Sequence, residues 1–204
     1  MIGIIDYGLG NIKAFANVYK NLDLDYQIIK NSEDLIKVSK IILPGVGSFD
    51  HAMNLLNNSG MRNTLDNLVL KEKIPVLGIC VGLQILANGS EEGNLPGLGW
   101  IDAEVKKFDA STIPYKTRLP HMGWNIVEAQ SDNYLLSSLN EKPRFYFLHS
   151  YYFKCNNSSD SISQTNYGSY FTSAVNKENI YGVQFHPEKS HHNGIQVLKN
   201  FAEL

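Results

Sequence analysis

The sequence predicts an α/β fold with a central, mostly parallel sheet and an added antiparallel portion. In the first half of the chain, short apolar runs alternate with segments of helical periodicity, a pattern typical of parallel strands covered by helices on both faces. After Gly89, strand-like segments follow one another with few helices between them. The length of 204 residues suits a single domain spanning residues 1–204.

Apolar runs and turn signals predict the individual elements. The predicted parallel strands are Met1–Asp6, Asp25–Ile29, Lys40–Leu43 and Ile74–Ile79. The helices predicted around them are Asn11–Leu22, a short helix capped by Ser32, Ser48–Asn57, Met61–Leu70 and Val81–Ala87. The second half predicts strands at Trp100–Phe108, Gly123–Ala129, Phe145–Cys155, Tyr170–Val175 and Tyr181–Phe185, a polar loop with a weak strand at Asn156–Ser169, and a helix at Asn193–Phe201.

Composition excludes several classes of protein. Hydrophobic residues make up 43% of the chain, charged residues 19%, and the net charge is −2, which is ordinary for a globular enzyme and gives no reason to expect nucleic acid or a membrane as partner. No apolar run approaches the roughly 20 residues of a membrane span, and the N-terminus does not resemble a signal peptide. Two cysteines make no disulfide framework, so we expect a cytoplasmic protein.

Glycines after the first strand raise the question of a nucleotide cofactor. In the stretch DYGLGN, Gly8 and Gly10 are followed by Lys13, where a dinucleotide fingerprint needs a third glycine. A tight turn from strand to helix is the favoured interpretation. No paired His or Cys spacing indicates a metal either. We therefore expect neither cofactor nor metal.

The stretch GICVG places Cys80 at a corner between a predicted strand and a predicted helix. A nucleophile flanked by glycines at such a corner is typical of a sharp elbow that exposes the side chain in a cleft. The helix N-terminus favours a thiolate there, and the Val81 N–H can face an oxyanion. Free cysteines are also among the most buried residues. From this stretch alone, a core residue and a nucleophile are equally good interpretations.

A nucleophilic thiol needs a base and a group that orients the base. The stretch GVQFHPEKS ends a predicted strand with His186, Pro187 and Glu188. In an extended segment, residues two apart point the same way, so Glu188 is expected beside the imidazole of His186. The stretch PGVGSF ends the third strand, at the edge where α/β proteins bind ligands, so backbone N–H groups of Gly45, Val46 and Gly47 are candidate oxyanion donors; an ordinary turn is the alternative.

Together these motifs resemble the class I (triad) glutamine amidotransferases, and within them the glutaminase subunit of imidazole glycerol phosphate synthase. The resemblance runs nearly end to end and rests on IGIIDYGLGNI, LPGVGSF, GICVGLQIL, GSEEGNLPGLGW, LPHMGWN, FYFLHSYY and YGVQFHPEKS in that order. It implies a three-layer, flavodoxin-like fold and the hydrolysis of L-glutamine to glutamate and ammonia.

The resemblance also implies residue roles. Cys80 is implied as nucleophile, His186 as acid and base, and Glu188 as the residue that orients His186. The implied oxyanion and substrate contacts are Gly45, Val46, Gly47, Val81, Gly82, Gln84, His149, Ser150 and Tyr151. The implied partner is a (β/α)₈-barrel cyclase, bound as a heterodimer through Met122, Trp124, Asn125, Tyr146 and Lys189; a core position is the alternative for Trp124.

Three alternatives to this function remain open at the level of sequence. The stretch KSHHNGIQVLKNF is similar to a paralogous group that supplies ammonia for sugar amidation in surface-polysaccharide or flagellar glycan synthesis. A stand-alone cysteine hydrolase acting on peptides or γ-glutamyl substrates uses a similar elbow. A binding module without chemistry could keep the same fold, although Cys80, His186 and Glu188 together argue against it.

Overall fold

The computed structural model describes residues 1–116 and 118–204, which form a large mixed sheet, a separate two-stranded ribbon and flanking helices. The strands are β1 (Ile2–Ile5), β2 (Tyr26–Ile29), β3 (Lys40–Gly45), β4 (Val76–Cys80), β5 (Gly89–Ser90), β6 (Ala103–Lys107), β7 (His121–Ile126), β8 (Glu128–Ala129), β9 (Arg144–His149), β10 (Tyr151–Cys155), β11 (Ser161–Asn166), β12 (Tyr170–Lys177) and β13 (Ile180–Val183). The α-helices are α1 (Ile12–Asn21), α2 (Ser32–Leu35), α3 (Phe49–Asn58), α4 (Arg62–Asp66), α5 (Val81–Gln84) and α6 (His191–Glu203).

The large sheet has the strand order β2-β1-β3-β4-β13-β12-β10-β6-β5. The five strands from β2 to β13 are mutually parallel, whereas β12, β10 and β6 continue the sheet in antiparallel pairs. Strands β7 and β9 form the separate antiparallel ribbon. This arrangement confirms the predicted α/β class with a parallel centre and an antiparallel portion.

Burial on both faces explains why the central strands are apolar throughout. Every residue of β1 and of β4 is buried, as expected for parallel strands covered by helices on each side. Helices α1 and α3 turn their apolar stripes inward, and Phe15, Tyr19 and Phe49 are almost completely buried. The buried side chains form one contiguous cluster that extends from β1 to α6.

The position of β4 decides where functional groups can meet. It lies between β3 and β13 and runs parallel to both, so the carboxyl ends of the three strands lie at one edge of the sheet. Gly45, at the end of β3, is in register with Cys80, at the end of β4. Ligands of open α/β sheets bind at this edge. The candidate residues predicted at three distant points of the sequence are thereby brought to one place.

Several predicted boundaries are wrong, for local reasons. Asn31 rather than Ser32 caps α2, because its side-chain oxygen accepts from the N–H of Asp34. Helix α5 ends at Gln84 instead of Ala87, and the strand predicted over Phe145–Cys155 is broken at Ser150 between β9 and β10. The weak strand predicted within Asn156–Ser169 is present as β11, whose polar residues pair with β12.

Helix α5 lies directly against the backbone of β3, and Gly82 makes this possible. A Cβ placed on Gly82 would collide with the carbonyl oxygen of Leu43, which the sheet holds in place. We expect Gly82→Ala to lower the free energy of unfolding in urea by more than about 3 kcal/mol, because neither backbone can move aside. The control is Gly89→Ala, whose added Cβ would have only a van der Waals contact, 3.5 Å from Glu104 Oε2. Equal stability of the two variants would contradict this account.

Candidate active site

Cys80 occupies a sharp corner between β4 and α5. Its φ of 55° and ψ of −111° lie in a region that residues with a Cβ rarely adopt. A Cβ on Gly78 would meet the backbone of Gly82 at 2.6 Å, so glycine is needed on the strand side of the corner as well. The GICVG stretch therefore forms the predicted elbow, with a strained Cys80 at its turn.

His186 and Glu188 follow the neighbouring strand β13. His186 Nδ1 and Glu188 Oε1 are 2.9 Å apart, and both side chains are almost fully buried. The predicted extended path between them is wrong, because Pro187–Lys189 forms a 3₁₀ turn that folds Glu188 back beside the ring. The second carboxylate oxygen, Glu188 Oε2, is buried with no hydrogen-bond partner in the described part of the chain. The negative charge of the carboxylate is thus available to the imidazole.

The surroundings of His186 favour its protonated form. Burial lowers the pKa of His186, but the interactions of the imidazole with Cys80 and with Glu188 outweigh burial and raise this pKa to about 10. The backbone N–H of His186 donates to the Tyr146 carbonyl at 2.9 Å and fixes the end of the strand. The imidazole is therefore held next to the thiol as a group that accepts a proton readily.

A cavity of about 320 Å³ opens above these residues, within the usual range for small-molecule sites. The predicted residues that line it are Val46, Gly47, Cys80, Val81, Gln84, His149, Ser150, Tyr151, His186 and Lys189. Gly45 and Gly82 lie behind this wall, where a Cβ on Gly45 would meet the backbone nitrogen of Gly82. Sequence reasoning missed three lining residues, namely Glu92, Pro120 and Leu148.

Two glutamine side chains lie on the inner side of the site. Gln84 Nε2 donates to the carbonyl oxygen of Tyr151 and to Gln184 Oε1, both at 3.1 Å. Gln184 Nε2 in turn lies 3.8 Å from Cys80 Sγ. Gln184 is completely buried and was not predicted as a site residue. The signal that could have found it is a polar residue in the apolar end of a strand, two residues before His186.

A pair of buried histidines, His121 and His149, is held in the neutral form beside the cavity, which His149 lines. His149 Nδ1 donates to the Tyr151 carbonyl at 2.8 Å, which leaves Nε2 to accept from His121 Nδ1 at 3.0 Å. Asn125 Nδ2 donates to His121 Nε2 at 3.2 Å and completes the chain of hydrogen bonds. Burial lowers the pKa of His121 to about 4 and, together with the neighbouring His121, that of His149 to about 3.

The residues predicted at a partner surface lie together beside the cavity. Met122 and Trp124 on β7 are 63% and 39% exposed, so the core position considered for Trp124 is wrong. Tyr146 faces Trp124 across the ribbon, and Lys189 Nζ lies 5.6 Å from the centre of the Tyr146 ring. Asn125 turns partly inward and donates to the carbonyl of Asn166. We call this the ribbon surface, defined by Met122, Trp124, Asn125, Tyr146 and Lys189.

Residues 1–116 and 118–204 contain no group of three His, Cys, Asp or Glu side chains that could hold a metal ion. None of the helices in these ranges is long and apolar enough to cross a bilayer.

The fold and the arrangement of Cys80, His186 and Glu188 agree with the predicted resemblance, and comparison with known proteins shows the class of protein. The family model described as glutamine amidotransferase class-I matches residues 3–204, so the chain belongs to that family. It is 56% identical over 204 residues to the imidazole glycerol phosphate synthase subunit HisH of Leptospira borgpetersenii, with 100% of both chains covered. It is 54% identical over 206 residues to that of Bdellovibrio bacteriovorus, again with 100% of both chains covered.

Solved structures give the same fold. A crystal structure of a glutamine amidotransferase matches with a TM-score of 0.74 at 17% identity, covering 100% of this chain and 99% of the other. PurLQS from Thermotoga maritima matches with a TM-score of 0.74 at 14% identity, covering 99% and 97%. At these identities the likeness supports the fold alone, and it confirms the predicted fold class.

The neutral histidine pair predicts a loss of stability in mild acid. The unfolded chain binds protons at histidine near pH 6.5, whereas native His121 and His149 do so only near pH 4 and 3. Stability is therefore present above pH 6.5 and falls as the pH is lowered, by about 2 kcal/mol per histidine between pH 7 and 5. His121→Asn should reduce this loss by about one histidine's share, measured as the free energy of unfolding in urea.

The control for this experiment is His51→Asn, an exposed histidine on α3. The raised pKa of His186 makes the opposite contribution to the pH dependence of stability, since native His186 holds its proton to about pH 10. This contribution is the same in every variant and therefore cancels in the comparison. An unchanged pH dependence in His121→Asn would show that the His121 imidazole is not held neutral.

Proposed function

We propose that the chain is the glutaminase subunit of imidazole glycerol phosphate synthase, with residues 1–204 acting as one domain. The observation that carries the proposal is the strained Cys80 beside a buried His186–Glu188 pair in a cavity of about 320 Å³. The high identity over full length to subunits that bear this name supports the assignment to histidine biosynthesis. A reducing compartment such as the cytoplasm suits a free thiol in the nucleophile's position.

In the proposed reaction, the Cys80 thiol gives its proton to His186 before the substrate is attacked, which forms the thiolate–imidazolium pair that the raised pKa of His186 favours. The sulfur then bonds to the side-chain amide carbon of glutamine and forms a tetrahedral oxyanion. His186 returns the proton to the amide nitrogen, the carbon–nitrogen bond breaks, and ammonia leaves a glutamyl thioester. Water activated by His186 cleaves the thioester, so that glutamate is released and the thiol is restored. The charge of Glu188 stabilises the imidazolium throughout.

Backbone N–H groups at two strand ends are the proposed oxyanion donors. Val81 begins α5, where the first N–H groups of a helix lack internal partners, and Gly45, Val46 and Gly47 end the neighbouring strand. In this proposal, Gln84, His149, Ser150 and Tyr151 shape the glutamine pocket. The amide nitrogen of Gln84 is bonded within the protein, so its contribution to binding is to hold the Tyr151 backbone.

The ammonia passes, in this proposal, to a partner subunit of the (β/α)₈-barrel type that closes the imidazole ring. The ribbon surface is the proposed docking site, because exposed apolar side chains lie beside the cavity instead of being scattered. Docking there would place the partner next to two residues that line the cavity, namely Lys189, which belongs to the ribbon surface, and Leu148, the strand neighbour of Met122.

The function is tested with glutamine carrying ¹⁵N in its side-chain amide. With the barrel partner and its substrate, we expect the label in the imidazole product. Cys80→Ala should lower glutamine hydrolysis by about 10⁴-fold or more, since the bond-forming atom is gone. The matched control is Cys155→Ala, which removes the other thiol, a half-buried one on β10.

Added ammonium salt separates the outcomes. If the Cys80→Ala complex makes labelled product from ¹⁵N-ammonium at the normal rate, its fold and partner binding are intact and only the glutaminase step is lost. Label in an amidated sugar instead of the imidazole product would contradict the histidine pathway and favour the paralogous acceptor. Full hydrolysis by Cys80→Ala would contradict the whole site assignment.

The docking surface makes a separate prediction. Met122→Lys places a charge at the most exposed apolar position of the ribbon surface, where burial against a partner would leave it unpaired. We expect the dissociation constant for the barrel partner to rise at least about tenfold in calorimetric titration. Ile36→Lys, at an exposed apolar position just after α2, is the control and should bind normally. Equal affinity of both variants would place the interface elsewhere.

A further inference from the structure

We propose that Tyr7 is a positioning residue that holds the Pro44 carbonyl and thereby fixes the inner half of the Pro44–Gly47 segment. The inference rests on the proposed function, in which this segment supplies oxyanion donors. The observation behind it is a buried hydrogen bond of 2.7 Å from the Tyr7 hydroxyl to the Pro44 carbonyl oxygen.

Strand geometry explains why Pro44 needs such a donor. Successive residues of a strand present their N–H and C=O groups to opposite neighbours. The N–H of Ile41 donates to Pro75, on the β4 side, so Pro44 presents its carbonyl to the β1 side. Strand β1 pairs with β3 only as far as the Ile4–Ile42 pair. Pro44 lies beyond the end of that ladder. No strand there needs the N–H that proline lacks, but the buried Pro44 carbonyl has no strand partner either.

The Tyr7 hydroxyl supplies the hydrogen-bond donor that a neighbouring strand would otherwise provide. Tyr7 follows the end of β1 by two residues and is 5% exposed. Burial, with a smaller contribution from Cys80, raises the pKa of the Tyr7 hydroxyl well above its usual value. The hydroxyl therefore keeps its proton and stays a donor at every pH at which the enzyme works. Without this donor the buried Pro44 carbonyl would be left with an unsatisfied acceptor, which favours a rearrangement of the segment.

The two halves of the segment differ in how firmly they are held. Gly45 packs against the Gly82 backbone, so Pro44 and Gly45 are fixed on both sides. Val46 is 40% exposed, and no described atom lies within 4 Å of a Cβ built on Gly47, whose φ is 92°. Space for the backbone of this segment to reorient is thus confined to Val46 and Gly47. The Tyr7 hydroxyl sets the boundary between the fixed and the adaptable halves.

Removal of one oxygen atom tests the inference. In the complex with its barrel partner, Tyr7→Phe should lower kcat for glutamine hydrolysis about tenfold and leave KM within about twofold, because the donors act on the transition state. The control is Tyr19→Phe. Tyr19 is also completely buried, and its hydroxyl donates to the Leu198 carbonyl at 3.3 Å on α6, away from the cavity. The kcat of Tyr19→Phe should be that of the wild type.

Alkylation of Cys80 by iodoacetamide separates positioning from damage to the elbow, because this displacement needs no oxyanion donor. The rate, followed on the Cys80 peptide by mass spectrometry, should be unchanged in Tyr7→Phe. Burial raises the pKa of Cys155 to about 12, so that thiol reacts slowly and does not interfere. A parallel loss of alkylation and hydrolysis would overturn the inference, as would an unchanged or increased kcat.

Amide hydrogen exchange of the peptide containing Pro44–Gly47 gives a readout that does not depend on activity. Exchange should be faster in Tyr7→Phe than in the wild type and in Tyr19→Phe. If the wild-type chain did not hydrolyse glutamine but exchange was still faster in Tyr7→Phe, the proposed function would be wrong and the positioning role of Tyr7 would still be supported. Exchange equal in all three proteins would overturn the inference whatever the activity.

Discussion

The contact between the first turn of α5 and the backbone of β3 is the constraint on which the site depends. Gly82 lies against Leu43 and Gly45 against Gly82, so closely that no side chain fits at either position. This contact forces the chain to turn within one residue at the end of β4, and Cys80 takes up the strain with its positive φ. The thiol therefore faces the cavity instead of packing into the core, although it is almost completely buried.

The histidines of the site are all buried, but their pKa values are shifted in opposite directions. His186 has a carboxylate at 2.9 Å and an adjacent thiol, so its pKa is raised in spite of burial. His149 and His121 hydrogen-bond to each other, to an amide and to a carbonyl, none of which carries a negative charge, so burial lowers the pKa of both. The surroundings of His186 give an imidazole that can exchange protons, whereas those of His121 and His149 give a neutral, hydrogen-bonded pair. Environments that push pKa values apart in this way separate acid–base from structural roles.

The sequence was informative where the cause is local. GICVG predicted the elbow because the glycines that permit the turn are adjacent to Cys80. The sequence did not predict hydrogen bonds between residues that are far apart along the chain. Gln84 bonds to Gln184, and Tyr7 bonds to Pro44, because the parallel sheet brings their elements together. The His186–Glu188 contact was expected for the wrong reason, since a 3₁₀ turn and not an extended path brings them together. Competition between neighbouring capping residues misplaced the start of α2.

The alternation of the β7–β9 ribbon explains why a partner subunit suits this site better than independent action. Inward-facing His121, Phe147 and His149 are buried, and His149 lines the cavity, while outward-facing Met122, Trp124 and Leu148 stay exposed. The carbonyl of Leu148 lies 3.9 Å from Cys80 Sγ, so one strand carries both a surface residue and a contact to the sulfur. A partner that covered the outward face would shield the cavity from water on the side of Leu148 and Lys189. A hydrolase acting alone, whose product leaves into water, has no use for an apolar surface at that position.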